Sequence, residues 1–112
     1  MVIPVLTQNK KPFMLDTKDI LYYERNEKRI IIFHTTDEMY YWPRNIAELQ
    51  KFLGPEGFEK CNKNQAVQLK KIKAIDLQLT TAYFDPIIKL GKKSCILSRS
   101  CMRKAVKLIL KK

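Results

Sequence analysis

The chain has 112 residues, and its 22 Lys plus Arg outweigh 11 Asp plus Glu to give a formal net charge of +11. With 46% apolar and 29% charged residues it is ordinary globular material, long enough for one domain over residues 1–112 and not disordered. No run of about 18 uncharged apolar residues exists, and MVIPVLTQNKK is no secretory signal, so neither a spanning helix nor a leader is expected.

The apolar runs at residues 2–6 and 12–15 predict two strands joined by a turn, with Pro4 confining the first to an edge or an irregular start. Ile20–Tyr23 is a third strand-like run, ending at Glu24. After the polar turn Arg25–Lys28, the segment Arg29–Thr35 is the most β-branched stretch of the chain. Thr36–Glu38 turns into Met39–Trp42, completing a hairpin. The period then changes. Ile46, Leu49 and Phe52 or Leu53 fall on one helical face, with Pro43 at the entry and Gly54-Pro55 as the stop.

Beyond Gly57 the runs are short: Phe58–Cys61, Ala66–Leu69, Ile72–Leu79, Ala82–Phe84 and Ile87–Leu90. Alternation in the third of these is only partial. Gly91-Lys92-Lys93 reads as a turn into Cys95–Leu97, and apolar residues from Met102 to Ile109 recur at helical spacing among lysines. The fold class expected is mainly β, with one central helix and a short C-terminal helix.

Few residues carry catalytic or metal chemistry. The three cysteines, Cys61, Cys95 and Cys101, form no C-x-x-C pair, and His34 is the single histidine. A zinc site and a disulfide framework both fit poorly, so reduced, packed thiols of a cytoplasmic protein are expected. His34 lies inside a β-rich run, where a strand residue is a better reading than a general base. Glycines occur only at 54, 57 and 91, too few for a backbone phosphate cradle. An enzyme is not expected, nor is any cofactor.

Charge points elsewhere. The last acidic residue is Asp85, and nine Lys or Arg side chains follow it, among them Lys92, Lys93, Arg99 and Arg103. Such a surface gains affinity for a polyanion through counterion release. Basic segments that also hold Asn or Ser lie between apolar runs at Arg25–Arg29, Lys60–Asn64 and Lys92–Arg99. These side chains suit phosphates and base edges. Tyr22, Tyr23, Tyr40, Tyr41 and Trp42 would be wanted as stacking platforms by a single-strand binder. Neighbouring pairs point to opposite strand faces, however, which puts at least half of them in the core.

Three motifs in order resemble the LytTR family, the DNA-binding domain of many bacterial response regulators. Asp19-Ile20-Leu21-Tyr22-Tyr23-Glu24 is similar to the family's "D-I-x-Y-I-E" strand. Ile46–Leu53 followed by Phe58–Leu69 and Ile72 resembles "L…L…F-x-R-x-H-R-S-x-x-V-N-x-x-x-I", and Leu97-Ser98-Arg99 resembles "V-S-R". The match runs from about Ile3 to Leu110. The chain departs from it at Asn62-Lys63-Asn64 for His-Arg-Ser, at Val67-Gln68 for Val-Asn, and at Glu59-Lys60 where a single Arg is usual.

The resemblance implies an elongated set of small antiparallel sheets with one helix, presenting loops and not a recognition helix to DNA. Carried over by position, it implies contacts from Lys28 or Arg29, from Lys63 and from Arg99, with Asn62 and Asn64 supporting the middle contact and Ser98 beside Arg99 in its motif. Lys92, Lys93, Arg103 and Lys104 would add phosphate attraction. The function expected is a sequence-specific double-stranded DNA-binding transcriptional regulator at promoter sites, with a second copy on paired sites. Two rival readings are an RNA or single-strand binder and a basic protein-interaction module. Met1 stands only a short way before the first motif, which leads to the expectation of no phosphoacceptor receiver domain ahead of it.

Overall fold

Short β-branched and aromatic runs bounded by polar turns do become strands here. The computed structural model describes residues 1–53, 57–84 and 93–110. In chain order these form β1 (Val2–Leu6), β2 (Pro12–Asp16), β3 (Tyr22–Arg25), β4 (Ile31–His34), β5 (Met39–Tyr41) and α1 (Ile46–Leu53). They continue with β6 (Phe58–Asn62), β7 (Gln65–Gln68), β8 (Ala74–Asp76), β9 (Thr81–Tyr83), β10 (Ser94–Ile96) and α2 (Arg99–Leu110). The fold is mainly β, as expected, but most strands gather into one large sheet. Its seven strands run in the order β2-β1-β5-β4-β3-β7-β6, and a second sheet runs β10-β9-β8.

Local chemistry trims several elements relative to their apolar runs. Ile20 closes a 3-10 turn over Thr17–Asp19 by donating its N–H to the Thr17 carbonyl, so β3 begins at Tyr22. Asp76 Oδ1 accepts the N–H groups of Gln78 and Leu79 at 3.0 Å each, which ends β8 and turns the chain. β1 joins β5 through Leu6 alone, so on that side Pro4 has no ladder to interrupt. Asn45 accepts the N–H of Glu48 at 3.0 Å and caps α1, a role the neighbouring Pro43 does not fill. The runs at residues 87–90 and the turn at 91–92 lie outside the described residues.

Alternation along β3 divides the interior. Tyr23 packs with Ile3, Val5, Ile31, Phe33, Trp42 and the α1 residues Leu49 and Leu53. Tyr22, on the opposite face, packs with Cys61, Val67, Ala82, Cys95, Leu97 and the α2 residues Cys101 and Ala105. The large sheet therefore carries α1 on one side, and the small sheet with α2 on the other. Burying these apolar side chains supplies the main stabilisation. α2 spans 12 residues, longer than the short helix expected. Its inward positions are the small residues Cys101 and Ala105, which leave a faint hydropathy trace.

Candidate nucleic-acid interface

Register decides which basic segments meet. β3 and β7 pair antiparallel with Glu24 opposite Gln65, so the β3–β4 loop and the β6–β7 turn emerge at the same end of the sheet. The N–H of Arg25 donates to the carbonyl of Asn64 at 2.8 Å and fastens the two together. Between them lies a groove of about 810 Å³ lined by Arg25, Asn26, Lys28, Arg29, Tyr41, Lys63 and Asn64, with Glu27 and Ile30. A neighbouring groove of about 380 Å³ adds Lys60 beside Lys63 and Asn64.

The β3–β4 loop is rigidly built. Asn26 Oδ1 accepts the N–H groups of Lys28 at 2.9 Å and Ile30 at 3.0 Å, and the Arg29 N–H reaches the Asn26 carbonyl at 2.9 Å. Arg29 sits at φ 62°, a left-handed conformation that costs a residue with a Cβ about 1–2 kcal/mol. Both Lys28 and Arg29 are exposed at the groove.

The β6–β7 turn follows a bulge. Register slips between Lys60 and Asn62, and the extra residue, Cys61, turns fully inward. Cys61 Sγ lies 2.6 Å from Cys95 Sγ, with both thiols free and buried. The contact lowers the Cys61 pKa, while the same bond and burial push Cys95 up. Burial pushes Cys101 up to about 11. The packing role expected of the cysteines fits this geometry.

Asn62, Lys63 and Asn64 differ sharply. Lys63 and Asn64 are exposed. Asn62 Nδ2 donates to Gln65 Oε1 at 2.6 Å and to the Ile96 carbonyl at 3.0 Å, while its Oδ1 accepts the Asn64 N–H at 3.0 Å. Its amide is thus engaged within the protein.

The third segment is sewn to the second. Ser98 donates its N–H to the Cys61 carbonyl at 2.7 Å, and its Oγ accepts the Cys101 N–H at 3.4 Å as the cap of α2. Arg99 and Arg103 are exposed and one helical turn apart, on the same face of α2. Lys104, the next cation, pairs with Glu59 of β6. Lys92 lies outside the described residues. Lys93 Nζ is turned onto the protein, donating to the carbonyls of Thr35 and, at 3.3 Å, Glu38. Partial burial lowers its pKa, against the opposing charges of Asp37 and Glu38.

Arg25 and Lys60 fell inside the basic segments without being singled out as contacts. The signal was the two-residue strand period, which sets Arg25 on the same face as Tyr23 and thus beside Lys60 and Lys63. Aromatic platforms fare less well. Trp42 is 4% exposed and gives its indole N–H to the Asn45 carbonyl at 2.8 Å, and Tyr22 is stacked between His34 and Phe84. Of the five rings considered, only Tyr41 lines the larger groove.

His34 is a strand residue. It is 7% exposed, stacks on Tyr22 at 4.4 Å, and shares a 2.7 Å hydrogen bond between Nε2 and Glu24 Oε1. Burial lowers its pKa, partly offset by the Glu24 hydrogen bond and charge. Gln68, where the family pattern has Asn, is 2% exposed and donates to the carbonyls of Ile20 at 2.6 Å and Thr17 at 3.4 Å. It is an internal brace, well away from the basic turns in the hydrogen-bond pattern. Among the described residues no helix is long and apolar enough to cross a membrane, and no cluster of metal-ligating side chains occurs.

Comparison with known proteins bears on the whole assembly. A solved structure described as the LytTr DNA-binding domain of a putative methyl-accepting/DNA response regulator from Bacillus cereus superposes with a TM-score of 0.65. That match covers 96% of this chain and 95% of that one at 17% identity, a likeness of fold. Transcriptional regulatory protein YpdB from Escherichia coli K12 and its Shigella flexneri counterpart are each 31% identical over 78 residues, 70% of this chain. The chain spans about a third of their length, 32%. The LytTr DNA-binding domain model matches residues 10–110, and with nearly the whole chain covered, this protein belongs to the LytTR family.

Proposed function

We propose that this domain is a sequence-specific binder of double-stranded DNA that regulates transcription, gripping the duplex with three basic segments. The observation that carries the reading is the stitching of those segments into one unit. Arg25 bonds to Asn64, Ser98 to Cys61, and Asn62 to Ile96, so the β3–β4 loop, the β6–β7 turn and the start of α2 are neighbours. Arg99 and Arg29 offer the planar fork that matches a guanine edge, while Lys28 and Lys63 act as point charges toward phosphates. Asn64, exposed on the turn, has a free-standing amide suited to an adenine edge. Arg103 extends the cationic face by a turn of helix. Promoter sites, and a second copy on a paired site, belong to the same reading.

The buried state of Tyr22 and Trp42 disfavours the single-strand alternative, because stacking needs open ring faces. Selection of bound molecules from a random-sequence duplex pool tests the proposal. It should converge on a short motif, and the selected duplex should outcompete its own separated strands. No enriched motif, or stronger competition by the single strands, would refute it.

A further inference from the structure

A chain of side-chain hydrogen bonds crosses five strands and ends at the basic turns. It begins at His34 on β4, whose Nε2 meets Glu24 Oε1 on β3 at 2.7 Å. Glu24 Oε2 accepts from Gln65 Nε2 on β7 at 3.3 Å. Gln65 Oε1 accepts from Asn62 Nδ2 on β6 at 2.6 Å, and the same nitrogen reaches the Ile96 carbonyl on β10 at 3.0 Å. Asn62 Oδ1 then accepts the backbone N–H of Asn64.

Polarity passes along this chain in one direction. A carboxylate only accepts, so Glu24 obliges Gln65 to turn its NH2 toward it and its oxygen toward Asn62. That oxygen obliges Asn62 to present NH2 inward, which frees its own oxygen for the Asn64 N–H. His34 Nδ1 has no partner among the described residues, and burial disfavours the cation, both consistent with a proton on Nε2 facing Glu24. Each member is therefore locked in one orientation by the one before it.

The endpoints are what matter for recognition. Asn62 holds the Lys63-Asn64 turn against Ile96, and Ser98 and Arg99 follow Ile96 within three residues. We infer that Gln65, oriented by Glu24, is a positioning residue for DNA sequence recognition. It sets the spacing between the Lys63–Asn64 turn and Arg99 through Asn62, which is a strut and not a base contact. The inference rests on the reading of the three segments as the DNA face. It adds the device that keeps two separate base contacts in register with one duplex, since recognition requires both at fixed separation.

The test uses the full 112-residue chain and two probes: the duplex selected by the wild type and a scrambled duplex of the same composition. Gln65→Met removes the bonds to Glu24 and Asn62, and the weaker one from the Cys95 thiol, at nearly constant volume, and Gln65→Glu sets two carboxylates face to face. In both, the affinity ratio between the two duplexes should fall ~10-fold, and in Gln65→Met, which changes no charge, affinity for the scrambled duplex and its salt slope should hold. The exchange Glu24→Gln with Gln65→Glu restores a donor opposite an acceptor and should recover most of the ratio. A ratio unchanged in both single variants overturns the positioning role, as does an exchange variant no better than Gln65→Glu. Equal loss on both duplexes with collapse of the near-ultraviolet circular dichroism marks Gln65 as structural alone and overturns it too. A wild type that prefers no duplex defeats the DNA reading itself, an outcome visible before any variant is made.

Discussion

The backbone N–H of Arg25 and the carbonyl of Asn64 meet at 2.8 Å, joining the end of β3 to the turn between β6 and β7. These residues are far apart in sequence, and one backbone bond makes their basic neighbourhoods a single groove.

Arg99 heads α2 with its side chain exposed, and Arg103 follows on the same face. Arg99→Ala should cost about 1–3 kcal/mol on the selected duplex and relax preference at one base position. Arg103→Ala should weaken all duplexes alike and reduce the salt slope by about one. Anisotropy titrations across a salt series separate the two. Unchanged binding by Arg99→Ala removes that residue from the reading.

Arg29 holds a left-handed backbone at the groove. Arg29→Gly relieves the strain while giving the unfolded chain more freedom, so stability should stay level or rise by up to ~1 kcal/mol. Affinity for DNA should fall nonetheless. Urea melts and binding titrations on one preparation give both numbers, and a variant weaker in both would show that the loop depends on the arginine side chain itself.

His34 supplies a pH dependence. Its folded pKa is lowered from 6.5, so as pH falls through about 6.5 the unfolded chain takes up a proton that the native state resists. Stability is therefore complete above that value, declines as pH drops toward the folded pKa, and levels below it. Melting temperatures across the neutral-to-mildly-acid range should slope downward in the wild type and less so in His34→Gln. Parallel slopes would mean that His34 is not the titrating group.

Gln68 braces Ile20 and Thr17 from a buried position. Gln68→Leu strands the buried Ile20 carbonyl, while that of Thr17 keeps the Ile20 N–H, and should destabilise by ~1–3 kcal/mol, with DNA affinity of the folded protein intact. A denaturant midpoint unchanged from wild type would contradict the bracing role.

Strand positions were legible because β-branched and aromatic runs alternate with polar turns, as in Arg29–Thr35 and Met39–Trp42. The helix at Ile46–Leu53 showed through its apolar spacing. Non-local pairing did not show. That β3 sits between β4 and β7, and that seven strands share one sheet, depends on registers fixed by contacts distant in sequence. The same limit applies to the site. Local composition marked the segments that hold Lys28, Arg29, Lys63 and Asn64, the family resemblance singled these residues out, and they do share a groove. The engagement of Asn62 with Ile96, and of Lys93 with Thr35, arises only when separate strands meet. An Asn in a basic turn looks the same in sequence whether its amide is free or spent.

The most direct measurement of the central claim is the amide spectrum of 15N-labelled protein titrated with the selected duplex. Shifts should concentrate at Arg25–Arg29, at Lys63 and Asn64, and at Ser98–Arg103, moving together at one stoichiometry. Shifts centred on α1 or on the β1–β2 edge, with those three segments silent, would contradict it.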